Sequence, residues 1–430
     1  MKTAAGGAAA AYCRPEDEPK AYQAGGQPFV PDELLGPILA RMRAKAAEGA
    51  ARPLVLPAAP RCAPPEKPSP RERAAREGVF ALRARLRRVA PSRRERGCGA
   101  LVVEHVDTEP TIELRQEAGQ VRAHWKGLMQ CGHIWTCPAC SRRLRTERGK
   151  RVEAAVNGLG KRWQMVTVTL RHHDAMALAV SLPALSNAWR RTRQGGKVQR
   201  IWSERVSASV RAVEVTHGRN GWHPHVHVLL RTTAWTDEEK DALLARWQDA
   251  ITDELGKVGR PDALHAITWS EPFDGDDAKG RALYVAKLGL EISGAGKLGR
   301  KGSRSHWQVA EDAANGDERS RLLWHEFYTA TKGKRALELD DRAQAAAEKF
   351  MQQDPKEGSG EPMGSIRVLR DDVRALRYEE KFTRRIFAEV LQAAETQGEV
   401  GVRWYVNFAR ARMKHDAERF AERQHDPWRS

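Results

Sequence analysis

The sequence predicts an α+β protein built on a mainly antiparallel β-sheet. Several short segments alternate apolar and polar residues as half-buried strands do, and helical stretches fall between them without a regular βαβ rhythm. Upstream of those strands, three cysteines crowd into ten residues, which predicts a metal-bound segment ahead of the sheet.

Residues 1–70 read as weakly structured. "GGAAAAY" and "PAAPRCAPPEKPSP" sustain no period, although a short helix fits within "DELLGPILARMRAKAAEGA". Residues 71–97 are Arg-dense, with Val79, Leu82 and Leu86 at helical spacing. That helix suits either a phosphate backbone or plain solvation. Residues 98–152 hold the cysteine cluster. The strands follow in 153–339: "WQMVTVTL" (Trp163–Leu170), "SVRAVEVT" (Ser209–Thr216), "HPHVHVLL" (His223–Leu230) and "LHAITWS" (Leu264–Ser270). Between them "TDEEKDALLARWQDAITDEL" opens with Thr236 as an N-cap and Glu239 three residues on, a capping box. Residues 340–430 are charged and helical in pattern, a helical C-terminal extension without an interpretable motif.

The chain has 430 residues, a formal charge of +17 and a pI near 9.8. Such a balance favours a polyanionic partner, with nucleic acid ahead of a membrane surface because no amphipathic anchor stands out. No apolar run approaches the roughly 18–20 residues of a membrane helix, and no signal-peptide core opens the chain. The expectation is a cytoplasmic protein with no membrane partner.

Of the six cysteines, Cys13 and Cys62 lie in the Pro/Ala-rich region, whereas Cys131, Cys137 and Cys140 are clustered. Clustering of this kind suits metal ligation in a reducing compartment better than a disulfide framework. A Cys-Pro-x-Cys knuckle followed by a helix predicts structural Zn²⁺, with Cys98 as the fourth thiolate or His133 as the alternative. The same helix carries Arg142, Arg143, Arg145 and Arg148, placing positive charge for a DNA backbone.

The strand at 223–230 is the most informative stretch. His223, His225 and His227 share one face by the two-residue period, while Val226, Val228 and Leu230 share the other. The turn "HGRNG" leads back to the preceding strand. If Thr216 pairs with His223, Glu214 lies opposite His225, and the apolar alternation of both strands keeps Glu214 on the histidine face. Burying three imidazoles beside a carboxylate without partners costs several kcal/mol, so packing alone does not explain them. Neutral imidazoles and one carboxylate suit a divalent cation such as Mg²⁺ or Mn²⁺, with His225, His227 and Glu214 as ligands and His223 as a further one.

"RAVEVTHGRNGWHPHVHVLL" resembles the His-hydrophobic-His region of HUH endonucleases, in the form found in rolling-circle replication initiators of bacterial plasmids. The resemblance covers roughly residues 98–340 and includes the upstream "TVTL", the later "LLWHEFYTATKGKRALEL" and "ALYVAKLGLEI". It implies an HUH-type central sheet flanked by helices over 153–339. It also implies a catalytic Tyr284 with Lys287 three residues on, and nicking of one strand at a single-stranded or cruciform origin site. The product would be a 5′-phosphotyrosine and a free 3′-hydroxyl, with later rejoining. Host helicase and polymerase would then be partners. Independently, Tyr284, Lys287 and Glu291 share one helical face, and Lys287 can stabilise a phenolate that is otherwise a poor nucleophile at a pKa of about 10. "GAGKLGRKGSRSHW", with Lys297, Arg300 and Lys301, reads as a basic loop for a single strand. One departure concerns termination. Where some initiators carry a carboxylate one helical turn before the tyrosine, this chain has Gly280, leaving Asp277 or Glu291 to activate water.

Three other readings compete. "HPHVHVLL" fits the histidine-triad pattern of nucleotide hydrolases and transferases, which has no use for Glu214 or Tyr284. A conjugative relaxase or single-strand transposase would share the HUH chemistry. A non-catalytic zinc-dependent DNA-binding protein would leave the histidine face unexplained.

Overall fold

The computed structural model describes residues 69–103, 109–117, 119–274, 302–353 and 360–424. Tyr284, Lys287, Lys297, Arg300 and Lys301 lie outside the described residues, as do Asp277, Gly280, Glu291, Cys13, Cys62 and the helix expected near residue 40. Among the described residues the architecture is α+β with antiparallel sheets, as expected.

The larger sheet is organised around a long hairpin of β4 (Val206–Gly218) and β5 (Gly221–Thr232). Arg219 and Asn220 make the turn between them. Gly221 adopts φ +80°, and a Cβ there would lie 3.0 Å from the Asp174 Cα, so the tight return needs glycine. β3 (Trp163–Thr169) pairs with β5 on its other edge, and β6 (Ile267–Trp269) pairs with β3. β7 (Arg304–Ser305) and β8 (Leu337–Leu339) pair with separate stretches of β4. The order is β6-β3-β5-β4-β7, antiparallel throughout. Leu264–Ser270 departs from expectation in its first half. Asp262 caps a helical turn, α7 (Ala263–Ala266), by accepting from the His265 backbone N–H, so the strand begins only at Ile267.

One face of this sheet carries Val166, Val168, Val213, Val215, Val226, Val228 and Leu230. Against it pack α4 (Leu178–Thr192) and α6 (Asp237–Leu255), which bury Leu185, Trp189, Trp247 and Ile251. The helix α6 opens with the expected capping box, Thr236 accepting from the Glu239 N–H and Glu239 from the Thr236 N–H. On the opposite face α3 (Pro138–Leu159) and α10 (Asp341–Gln353) cover only one end, over Met165, Ala208, Val210, Ala212 and Leu229. Gly158 lets the two helices approach closely, since a Cβ there would meet the Ala346 carbonyl oxygen at 3.0 Å. Further along the same face come the histidines.

The second sheet contains three strands in the order β2-β1-β9: β1 (Thr111–Glu117), β2 (Gln120–Lys126) and β9 (Glu361–Arg367). Ile112 faces Ile366 across more than 250 residues of chain. This sheet packs on α11 (Arg370–Glu379) and α12 (Ile386–Gln424), which breaks at Gly398, φ +63°. The C-terminal region thus contributes a strand as well as helices. The Arg-rich stretch forms α1 (Pro70–Leu86), started by a Ser69/Glu72 capping box with Pro70 in the first turn, and the short α2 (Arg93–Gly97). Leu86 is buried in the main core and Leu82 packs against it, so α1 is docked along one side. Buried Glu380 holds it to the C-terminal helices, accepting from Arg87 Nε at 2.8 Å and pairing with Arg83 at 3.5 Å. No helix among the described residues is long and apolar enough to cross a membrane.

Candidate metal centre

The hairpin register is the one the sequence predicts: Thr216 opposite His223, Glu214 opposite His225, and Val213 and Val215 facing Val226 and Pro224. With successive side chains on opposite faces, Glu214, His225 and His227 meet on the polar face while the valines enter the core. Glu214 Oε2 lies 2.8 Å from His225 Nε2 and 3.2 Å from His227 Nε2. One oxygen and two ring nitrogens thus converge from two adjacent strands. Burial raises the Glu214 pKa, but the hydrogen bonds to His225 and His227 outweigh it and hold the carboxyl well below its usual range.

This donor set fits a small divalent cation. Cis ligands of an octahedral Mg²⁺ or Mn²⁺ at about 2.1 Å lie roughly 3 Å apart, which is the spacing of the carboxylate oxygen from each imidazole. The outer side of one candidate ligand is already set. The His227 Nδ1 lies 2.9 Å from the Thr167 hydroxyl on β3, so that hydrogen bond fixes the ring and turns Nε2 inward. His225 Nδ1 is buried without a hydrogen-bond partner. Thr167→Val should therefore weaken Mn²⁺ binding by about 10-fold or more while leaving the fold intact, read by calorimetric titration with Mn²⁺.

His223 lies beside this group but outside it. Its ring centroid is 5.2 Å from that of His225 and 4.5 Å from that of His172. Burial first, then the neighbouring His225 and His172, push its pKa down to about 3, so it is a neutral imidazole at physiological pH. His172 was not singled out from the sequence, although "RHHD" directly after β3 was its available signal. Also missed was His306, fully buried at the start of α8 (His306–Ala314), with its pKa pushed down to about 3 by burial and by Arg145. It follows Ser305, which pairs with Thr216 on β4 two residues from Glu214. Its one sequence signal is its place at the end of the basic stretch "GAGKLGRKGSRSHW".

The four cysteines form a second group. Cys98 follows α2, Cys131 lies in the loop before the knuckle, Cys137 is the N-cap residue of α3 and Cys140 lies in its first turn; all four are buried. Their sulfurs are 3.5 Å apart for Cys98 and Cys140, 3.6 Å for Cys98 and Cys137, and 3.7 Å for Cys131 and Cys140. A disulfide would need about 2.05 Å. A tetrahedral Zn²⁺ with Zn–S near 2.3 Å places sulfurs about 3.8 Å apart, close to these separations. His133, the alternative ligand, instead pairs with Glu95 at 2.8 Å. Thiolates here also meet a compensating charge. The buried Arg83 guanidinium interacts electrostatically with Cys98 and Cys137.

The four arginines after the knuckle diverge. Arg142 and Arg143 are exposed, Arg148 is half-buried, and Arg145 is buried with its guanidinium over the Trp135 ring. Arg145 thus faces inward along the helix that covers the histidine side of the sheet, and its Nε and Nη2 have no hydrogen-bond partner. Burial lowers its pKa to about 10, leaving it charged at neutral pH.

Residues 122–240 match the family described as replication protein. The match spans three of the cysteines together with Glu214, His225 and His227, and bears out the resemblance to plasmid replication initiators. The chain is 30% identical to "Protein rep" of Streptomyces lividans over 284 residues, covering 49% of this chain and 62% of that protein. It is 29% identical over 143 residues to a "Neomycin resistance protein" of Streptomyces cyanogenus, covering 26% of this chain and 33% of that protein. The chain therefore spans less than two thirds of either relative. No solved structure matches.

Proposed function

We propose that this replication-family protein is the initiator of plasmid rolling-circle replication, and that it nicks one DNA strand at an origin with an HUH-type endonuclease unit in residues 153–339. The observation that carries the reading is the convergence of Glu214, His225 and His227 on one point of an antiparallel sheet, inside the segment shared with replication proteins. His225, His227 and Glu214 would hold Mg²⁺ or Mn²⁺, with His223 beside them as a neutral imidazole able to take a hydrogen bond. A cation held there would withdraw electron density from a phosphate oxygen and make the phosphorus more electrophilic. Glu214 supplies the negative charge that retains the cation, and Thr167 holds His227 in the donor tautomer.

In this reading Tyr284 is the nucleophile and Lys287 stabilises its phenolate. The phenolate oxygen forms a bond to phosphorus, the bond from phosphorus to the 3′ oxygen breaks, and that oxygen leaves as a 3′-hydroxyl with a proton from solvent. The 5′-phosphotyrosine keeps the energy of the phosphodiester, so reversal rejoins the strand without ATP. Cys98, Cys131, Cys137 and Cys140 would hold a structural Zn²⁺ that fixes α3 against the sheet. Arg142, Arg143 and Arg148, with Lys297, Arg300 and Lys301, would contact DNA phosphates. Arg145 has a different place in this scheme, as a buried charge beside the cation site.

The test is strand cleavage of a supercoiled plasmid bearing the cognate origin. Nicking should require Mn²⁺ or Mg²⁺ and be absent in Tyr284→Phe, which should still bind the DNA. Nicking by that variant at the parent rate would remove Tyr284 from the mechanism.

A further inference from the structure

A strongly basic cleft lies between α1 and α11, outside the histidine cluster and next to the cysteine group, since Arg87 in its lining donates to the Cys98 carbonyl oxygen at 2.9 Å. It has a volume of about 500 Å³. From α1 and the turn after it come Arg85, Arg87 and Arg88; from α11 and its C-terminal turn come Arg374, Arg377, Lys381 and Arg384. The one carboxylate in its lining is Glu380.

Four of these cations are engaged. Arg87 and Arg377 both bind Glu380, Arg85 pairs with Glu311, and Arg374 pairs with Asp371 at 3.2 Å. Arg88, Lys381 and Arg384 are exposed, and no ion pair joins any of the three among the described residues. Like charges converging on a cleft repel one another, so an arrangement with this excess of cations is stabilised by an anion. The structure assigns a ligand class as well. Tyr378, the aromatic residue in the lining, has Lys381 over its ring at 4.4 Å and its hydroxyl bonded to Asp416, so its face is not free to stack on a base. Single strands are held by stacking as well as charge, whereas a duplex backbone is held by charge alone.

We propose that the α1/α11 cleft binds the phosphate backbone of duplex DNA flanking the nick site. It rests on the initiator reading for the identity of the polyanion. Position supports it too. α8 runs from His306, directly after the Ser305 that pairs with Thr216 beside the histidine cluster, to Ala314, which lines the cleft. Nine helical residues span about 12–13 Å. At about 3.4 Å per base step, that is three to four steps of duplex between the histidine cluster and the start of the cleft.

The test is the combined variant Arg88→Gln, Lys381→Gln, Arg384→Gln in the full chain, with the single charge reversal Arg88→Glu beside it. Binding of a duplex carrying the origin is measured across 50–300 mM salt. The log–log salt slope should become shallower by about 2–3 in the combined variant, with affinity at least tenfold weaker near 0.1 M salt. Arg88→Glu should weaken binding in the same direction. Cleavage of a short single-stranded oligonucleotide that extends only a few nucleotides to either side of the nick site should proceed at the parent rate, since the cleft lies beyond its reach. An unchanged salt slope and affinity in both variants would overturn the proposal. Equal losses on the duplex and on the short oligonucleotide would overturn it too, because the cleft would not then be a flanking-duplex site. Failure of the nuclease reading would appear separately, as no cleavage by the parent protein with duplex binding intact.

Discussion

Replacing either His225 or His227 with Ala is expected to reduce metal-dependent nicking by 10³-fold or more, equivalent to about 4 kcal/mol of lost transition-state stabilisation. The two Nε2 atoms lie 2.8 and 3.2 Å from a single Glu214 oxygen, so each removal takes away one of three converging donors. A two-donor remnant loses affinity and also leaves the carboxylate with one partner fewer. The fold should survive, since the apolar face of β5, where Val226, Val228 and Leu230 are buried, is untouched. Metal titration separates the two effects: Mn²⁺ binding should weaken in both variants while the thermal melt moves only slightly. His223→Ala should be milder, because His223 lies outside the converging set. A His225→Ala enzyme that nicks at the parent rate would exclude the cluster from catalysis.

The largest stability effect is expected at the cysteines. Cys137→Ser or Cys140→Ser should remove bound zinc, lower the melting temperature by more than 10 °C and expose α1–α3 to proteolysis. Zinc held by four thiolates contributes on the order of 10–16 kcal/mol in small domains, though a larger core retains part of the fold here. The four sulfurs tie the end of α2, the 131–137 loop and the first turn of α3 together, and Arg83 links that knot to α1. Metal analysis of the parent should give one zinc per chain, removable by a strong chelator. Cys13 and Cys62 variants should keep their zinc. Full zinc retention in Cys137→Ser would show that these thiols are not the ligands.

The histidine hairpin was legible because both of its signals are local. The two-residue period sets the faces, so the alternation of valines keeps Glu214 on the histidine side, and the pairing of Thr216 with His223 across the short turn then puts it opposite His225. The capping box at Thr236 and the Cys-Pro-x-Cys knuckle were readable for the same reason. The second sheet was not. β9 buries only Ile366 of its seven residues, so it shows no alternation, and its partner β1 lies some 250 residues away. β1 and β2 do alternate, through Ile112 and Leu114 and through Val121, Ala123 and Trp125, but charged residues between them mask the pattern. Burial of Arg145 was equally hidden. An Arg-rich helix looks uniformly solvated until the sheet it covers is known, and an offset of only about 60° around the helix separates exposed Arg142 from buried Arg145. Cys98 could be preferred over His133 only in three dimensions, where Glu95 claims the histidine.

Covalent capture tests the central claim most directly. Labelled single-stranded DNA from the cognate origin is mixed with the protein, with and without Mn²⁺, and an adduct that survives denaturation is sought. The account predicts an adduct that needs the metal, maps by mass spectrometry to Tyr284, and disappears in both Tyr284→Phe and His225→Ala. An adduct that persists in Tyr284→Phe and is lost only in His225→Ala would move the nucleophile to the histidine strand and contradict the tyrosine mechanism. Intact binding with no adduct on any origin strand would contradict the nuclease reading altogether.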